Sequence, residues 1–365
     1  MTSLHVIILL LFGYLIFILD KKQTYFPVPV ILVLLGLGLS FIPYFSSINV
    51  TAKMLYHVFL PAILFTSAYR FSSDSFKKNA GIITFLATIG IMATVAILGS
   101  VIYALSGPFV SLSFIGALVI ASILTPTDPV SVVSILEKSA DSKKISSVVE
   151  GESLINDGTS IVIFSFLAGM LAQGKSFTVM NFFSDFLFVS IGGALLGVVF
   201  GWLLSKAVHY TFNREYQIML SIMIAYGSFN LAEFIGVSGV LAAVFSGIML
   251  SFEYGRIIKE NDLRETLNSF WNIAEVSVLS LLFLLIGIEG AEFLQFNAWG
   301  FVFIIFAASL LVRFVIISGT TRIFTDWRKR MSWRESTLIT WSGLKGSMSV
   351  YLISSSKRRI RVTMI

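Results

Sequence analysis

The chain has no cysteine and only three histidines, His5, His57 and His209, scattered over 365 residues. Disulfides and thiolate metal sites are therefore excluded, and a histidine metal cluster has no basis in the spacing. Charge is scarce too: Asp, Glu, Lys and Arg make up 13% of the residues, against roughly 25% in an average soluble domain. No basic run interleaved with aromatics is present, so the sequence offers no nucleic-acid surface. Prolines number seven, which makes the close pair Pro126 and Pro129 conspicuous.

What the chain has is apolar length. It is 56% hydrophobic with a mean hydropathy of +0.89, and stretches long enough to span a bilayer recur from end to end, as in an all-α polytopic membrane protein. The pattern predicts twelve helices near residues 3–19, 27–46, 54–70, 79–105, 112–137, 147–173, 181–207, 216–231, 233–252, 270–288, 299–321 and 335–355. The first, Leu4 to Leu19, lacks a basic leader and a small-residue cleavage site, so it is expected to be retained. The turn between the eighth and ninth is marked only by Glu233 and a few small residues.

Under this partition the odd-numbered loops hold 18 Lys and Arg, and the even-numbered loops hold only Lys53 and Lys175. Basic loops stay cytoplasmic, which places the N-terminus outside. The net charge of +6 is then a loop bias rather than a sign of nucleic-acid binding. The same rule puts Lys357, Arg358, Arg359 and Arg361 on the outer side after twelve spans. A truncated or altered ending is the expectation for 356–365.

Two carboxylates stand out within this apolar chain. Asp128 lies in Thr125-Pro126-Thr127-Asp128-Pro129, and Asp157 ends Glu152-Ser153-Leu154-Ile155-Asn156-Asp157. A charge at the bilayer centre costs roughly 3 kcal/mol or more, so one kept there normally handles ions or protons. Pro126 and Pro129 break their helix, and broken backbone at membrane depth must be buried in protein or line a cavity. Ser153, Asn156 and Asp157 stand at i, i+3 and i+4, on one helix face. Asn156 is expected to hold the carboxylate while offering its carbonyl oxygen to a cation. Asp128 is either a second ligand or the counter-charge to a half-helix N-terminus. Glu152 falls on another face, where pairing with a base is expected; the buried bases are Arg313 and Lys345. Glu275, near the start of its predicted helix, reads as interfacial, and Glu289 and Glu292 as solvated in an outer loop. Gly343 and Gly346 weaken the last helix as the prolines weaken the fifth. Two interrupted helices, one in each half, point to an inverted-repeat transporter.

At these residues the chain resembles the monovalent cation:proton antiporter-1 family, the NhaP/NHE-type sodium/proton exchangers. The resemblance rests on Thr125 to Val130, Glu150 to Thr159, Leu284 to Glu289 and Trp341 to Gly346. It implies an inverted-repeat antiporter bundle with two interrupted crossing helices, twelve of the expected thirteen helices being present. Interface helices would occupy 1–78, core helices with the ion site 79–173, a linker and further interface helices 174–298, core helices 299–355, and a basic tail 356–365. It further implies that Asp157 binds cation and proton in turn, that Ser153, Thr127 and Asp128 help form the ion site, and that Asn156 marks the electroneutral branch. Glu152 would pair with a basic residue.

Three features depart from the family. Thr66 follows Ile63-Leu64-Phe65 where an acidic residue is usual, Lys345 replaces an arginine, and the thirteenth helix, symmetry mate of the sixth, is expected to be missing.

The expected function is secondary antiport by alternating access, sodium or lithium (with potassium as a further candidate) for protons, without a cofactor. The expected setting is a bacterial plasma membrane, as a homodimer with no nucleic-acid partner. A non-transporting remnant is the alternative. A channel is disfavoured because no short filter or charged ring repeats. An intramembrane prenyl-transferring enzyme would need clustered aspartates for magnesium and diphosphate, which the chain lacks, so no enzyme is expected.

Overall fold

The computed structural model describes residues 3–23, 28–46, 48, 54–127, 143–173, 179–210, 213–256, 261–291, 294, 298–324, 333–341, 343, 348–349 and 352–353. Asp128, Pro129, Lys345, Gly346, Glu292 and the tail 356–365 lie outside them. Regular structure among the described residues is helical: α1 (Ser3–Gln23), α2 (Val28–Leu39), α3 (Leu60–Arg70), α4 (Ser73–Phe85), α5 (Ile91–Ser106), α6 (Phe114–Ile123), α7 (Lys143–Gln173), α8 (Val179–Ser205), α9 (Arg214–Ile235), α10 (Gly239–Arg256), α11 (Asn261–Gly290), α12 (Trp299–Ile323) and α13 (Trp333–Trp341). Short helical turns supplement these, among them π turns at Leu55–Phe59 and Leu86–Gly90. The second of these joins α4 to α5 in one continuous rod.

Helix starts follow local chemistry. The side chains of Ser72, Ser113 and Asn213 accept backbone N–H bonds at the starts of α4, α6 and α9, occupying donors that have no partner within the helix. α9 stops at Gly236, whose φ of 87° is the left-handed conformation that glycine adopts without a Cβ penalty.

Six helices among the described residues are long and apolar enough to cross a bilayer: Asp74–Ser106, Ile145–Ala172, Met180–Tyr210, Arg214–Ile235, Arg264–Gly290 and Trp299–Ile323. Protein encloses 72% of the α7 span but 22% of the α8 span, so α7 is the central helix and α8 a peripheral one. α8 shows two faces accordingly. Leu187, Ile191, Leu195 and Val199 are exposed at four-residue spacing, while Gly193 meets Ser238 just before α10, and Gly197 and Gly201 meet α10 itself.

Several predicted boundaries move. The second helix ends at Leu39 rather than 46, with a turn before the short helix Pro43–Ser46. The fourth begins at Ser73 rather than 79, because Ser72 caps it. Glu233 lies inside α9, and the turn falls at Gly236 to Ser238. α11 begins at Asn261 rather than 270 and runs on through Glu289, so that residue is helical and half-buried, not a solvated loop carboxylate. Hydropathy located these helices by their apolar centres and missed their polar ends.

Three larger apolar groups carry most of the packing among the described residues. One gathers α4 to α7 and α12, with Val240, Leu241, Val244 and Ile248 of α10 against it. A second joins α1, α2 and α11. A third joins α3, α9 and α11 with Leu250 and Tyr254 of α10. α10 thus contributes to two of these larger groups at once.

Close helix approach depends on glycine here, because helices in lipid associate through van der Waals contact rather than water exclusion. A Cβ on Gly197 would collide with the Ala242 carbonyl, and one on Gly201 would come within 2.7 Å of Ser246 Cα. Gly38 has nothing within 4 Å of its Cβ position. Gly197→Ala is therefore expected to cost about 1–3 kcal/mol through overpacking, while Gly38→Ala leaves the thermal midpoint in detergent unchanged or raised. Equal midpoints for the two variants would contradict this account of the α8–α10 contact.

Candidate functional site

The site assembles where two helices stop short. α6 ends at Ile123, and Leu124 closes it by donating to the Ile120 and Ala121 carbonyls. Thr125, Pro126 and Thr127 continue without helical hydrogen bonding, all three buried. Proline at 126 has no N–H to extend the ladder, and it biases Thr125 away from helical backbone. At the other break, α13 ends at Trp341, and Gly343 beyond it is buried and not helical.

α7 passes beside the first break and ties it down. Ser153 Oγ donates to the Thr127 carbonyl. Asn156 Nδ2 donates to Thr127 Oγ1 at 3.0 Å and to Glu152 Oε1 at 3.0 Å. Asn156 itself is fully buried. Its Oδ1 accepts from Ser160 Oγ at 3.2 Å. The amide oxygen thus faces the next turn of its own helix.

Of the two candidate bases, Arg313 of α12 meets Glu152. Its Nη2 lies 2.9 Å from Oε2 and its Nη1 3.3 Å from Oε1, a two-pronged pair with side chains 12% and 5% exposed. Such burial is tolerable only because the charges are paired. Gly343 lies directly on this guanidinium, since a Cβ there would overlap Arg313 Nε and Cδ. Thr127, Asn156, Glu152, Arg313 and Gly343 thus form one continuous chain of contacts from the first helix break to the second.

Asp157 stands next to this chain on α7, half-buried where Asn156 is wholly buried. The following residue, Gly158, lies against Val240 and Leu241 of α10. Thr159 then fixes the depth of α7 against the α4–α5 rod: its Oγ1 donates at 2.6 Å to the carbonyl of Ala87 inside the π turn. Widened turns of that kind break the regular ladder and recur at functional sites.

Thr66 is fully buried, and its hydroxyl donates at 2.7 Å to Ala62 in its own helix. Glu275, read as interfacial, pairs with Arg70 at 2.5 Å, bridging α11 to the end of α3. Glu233 accepts from Tyr56 Oη at 2.7 Å and from the Gly239 amide at 2.9 Å, which caps α10. It also borders a cavity of about 380 Å³ that Asp185, Tyr56 and the α7 residues Ile161, Val162 and Ser165 help to line. The cavity therefore begins one turn beyond Asp157.

Sequence reading passed over Thr159, Ser160 and the contact of Gly343 with Arg313. A hydroxyl four residues after Asn156 was a visible signal for Ser160. The other two depend on distant chain segments and left no local trace.

A family model described as "Sodium/hydrogen exchanger, transmembrane" matches residues 6–361. The Na(+)/H(+) antiporter ApNhaP of Aphanothece halophytica is 32% identical over 340 residues, covering 90% of this chain and 62% of the relative. Sodium/hydrogen exchanger 7 of Arabidopsis thaliana is 29% identical over 360 residues, covering 92% of this chain and 31% of the relative. The chain thus spans less than two thirds of the length of either. The structure of the sodium proton antiporter MjNhaP1 of Methanocaldococcus jannaschii superposes with a TM-score of 0.75 at 19% identity, over 96% of this chain and 84% of that one. The fold is the same.

Proposed function

The chain belongs to the transmembrane sodium/hydrogen exchanger family, and from that premise we propose that it exchanges a monovalent cation for a proton across a membrane. The observation that carries the reading is the buried polar chain from Thr127 to Arg313, which sets Asp157 beside a broken helix on the most enclosed of the spans. Asp157 takes sodium or a proton, and occupancy by one excludes the other. Coupling follows from that competition without a second moving part.

Thr127 and Ser153 belong to the same site, and Asp128 completes its oxygen donors or offsets the charge of the half-helix. Hard cations prefer such oxygens. Asn156 is neutral where a second carboxylate would carry a second proton, so one charge crosses in each direction and exchange is electroneutral. Lithium competes with sodium, and potassium is the further candidate. The cavity bordered by Glu233 and Asp185 gives the outer approach to the site. The helices at 79–173 and 299–355 move as a core against those at 1–78 and 174–298 to alternate access. The assembly is a homodimer in a bacterial plasma membrane with its N-terminus outside, an orientation supported by the 18 basic residues of the odd loops.

The test is sodium addition to proteoliposomes holding the purified chain and an internal pH dye. Sodium should drive proton movement that an imposed voltage leaves unchanged. Voltage-dependent current without proton counterflow would replace the exchanger reading with a channel.

A further inference from the structure

We propose that Ser160 is a positioning residue that fixes the side-chain amide of Asn156 as a hydrogen-bond donor toward the helix break, so that its oxygen is withheld from the transported cation. The inference rests on the exchanger reading for its consequence, but the arrangement itself is geometric.

Three contacts determine which way the amide points. Both oxygens of Glu152 accept from the terminal nitrogens of Arg313, and a carboxylate paired in this way offers acceptors rather than a donor. Its Oε1 lies 3.0 Å from the Asn156 amide group. Turning the amide over would set two acceptor oxygens against each other in a fully buried place. The nitrogen therefore faces Glu152 and Thr127 Oγ1, and the oxygen is directed elsewhere.

Ser160 supplies what that oxygen then needs. Its side chain is fully buried, and its hydroxyl donates to Asn156 Oδ1 at 3.2 Å. Its choice of acceptor differs from that of several other helical hydroxyls among the described residues. Thr66, Thr94, Ser100 and Thr125 all donate back to the backbone carbonyl four residues earlier. Ser160 instead bonds the side chain four residues earlier, leaving its own ladder alone. With this bond the Asn156 amide has a partner for its oxygen and two acceptors for its nitrogen. The amide is held rigidly beside Asp157, and the cation's ligands come from carboxylate, hydroxyl and backbone oxygens.

Ser160→Ala removes the donor and leaves a buried acceptor without it. The apparent sodium KM is expected to rise by about ten-fold, the scale of one lost buried hydrogen bond, with kcat falling less. The ratio of sodium to lithium KM should stay unchanged, because no ligand has been removed. Ser160→Thr keeps a hydroxyl and should recover most of the loss. A second readout is independent of transport: in asparagine-labelled protein, the Asn156 carboxamide resonance, identified by its loss in Asn156→Ser, should shift in Ser160→Ala and return in Ser160→Thr. A wild-type resonance and KM in Ser160→Ala would overturn the proposal, and so would an altered sodium-to-lithium ratio, which would make the amide oxygen a ligand. Absence of sodium-driven flux from the unaltered chain would sink the exchanger reading while leaving the resonance test to decide the amide.

Discussion

Replacing Asp157 by asparagine is expected to reduce sodium-driven proton movement to the level of empty vesicles, with the chain still folded and inserted. The two side chains have the same shape, so the loss is one of charge and proton affinity rather than of packing. The polar chain that holds the site together runs from Thr127 through Asn156 and Glu152 to Arg313, and its members are untouched by the change. The melting midpoint should therefore stay close to that of the unaltered protein. A carboxylate shared between cation and proton leaves no partial function when it is removed, whereas a carboxylate that only adjusts the local field would leave a reduced flux. Substantial exchange by a correctly inserted Asp157→Asn variant would take that residue out of the transport site.

A comparably large effect, on stability instead of transport, is expected at Arg313. Its guanidinium and Glu152 are both nearly enclosed, and the pair spans 161 residues of sequence. Arg313→Met would leave the buried Glu152 carboxyl without its partner, and breaking a buried pair from one side costs about 3–5 kcal/mol. Neutralising the orphan should recover much of it. In the double variant Glu152→Gln with Arg313→Met, the glutamine oxygen can still accept from Asn156 while no buried charge remains. Thermal unfolding in detergent should rank the double variant between Arg313→Met and the unaltered protein. If Arg313→Met alone melts with the unaltered protein, the buried pair contributes little and the linkage between the two helix breaks is held by packing. A double variant no better than the single one would show that shape, not charge, had been lost.

Both experiments address a site whose parts were unequally readable in the sequence. Composition alone set the solvent of the fold, because 56% hydrophobic residues arranged in long runs cannot be buried in a water-soluble core of this size. The positions of the helices followed from the same runs. Their ends did not, since Ser72 and Gly236 act through backbone geometry that hydropathy does not register. The break after α6 was legible because Pro126, coming after a run of apolar helix, has no N–H with which to extend the ladder. Glu152 could be assigned a base in advance, because a buried carboxylate demands one.

Which base it takes, and what the site does with its polar groups, only the tertiary structure decided. Nothing local to Glu152 points to Arg313; that pairing brings α12 to α7, and Gly343 permits it by offering no side chain where the guanidinium lies. The direction of the Asn156 amide is open in the sequence, because the group carries a donor nitrogen at one end and an acceptor oxygen at the other and can be turned either way. Three neighbours, Thr127, Glu152 and Ser160, remove that freedom. The π turn that lends its Ala87 carbonyl to Thr159 likewise has no signature in residue type. The sequence by itself thus determined the membrane fold, the helix break and the need for a charge pair, because these depend on transfer free energies and on proline. Partner, orientation and register depend on contacts between distant segments, and those exist only once the helices have packed.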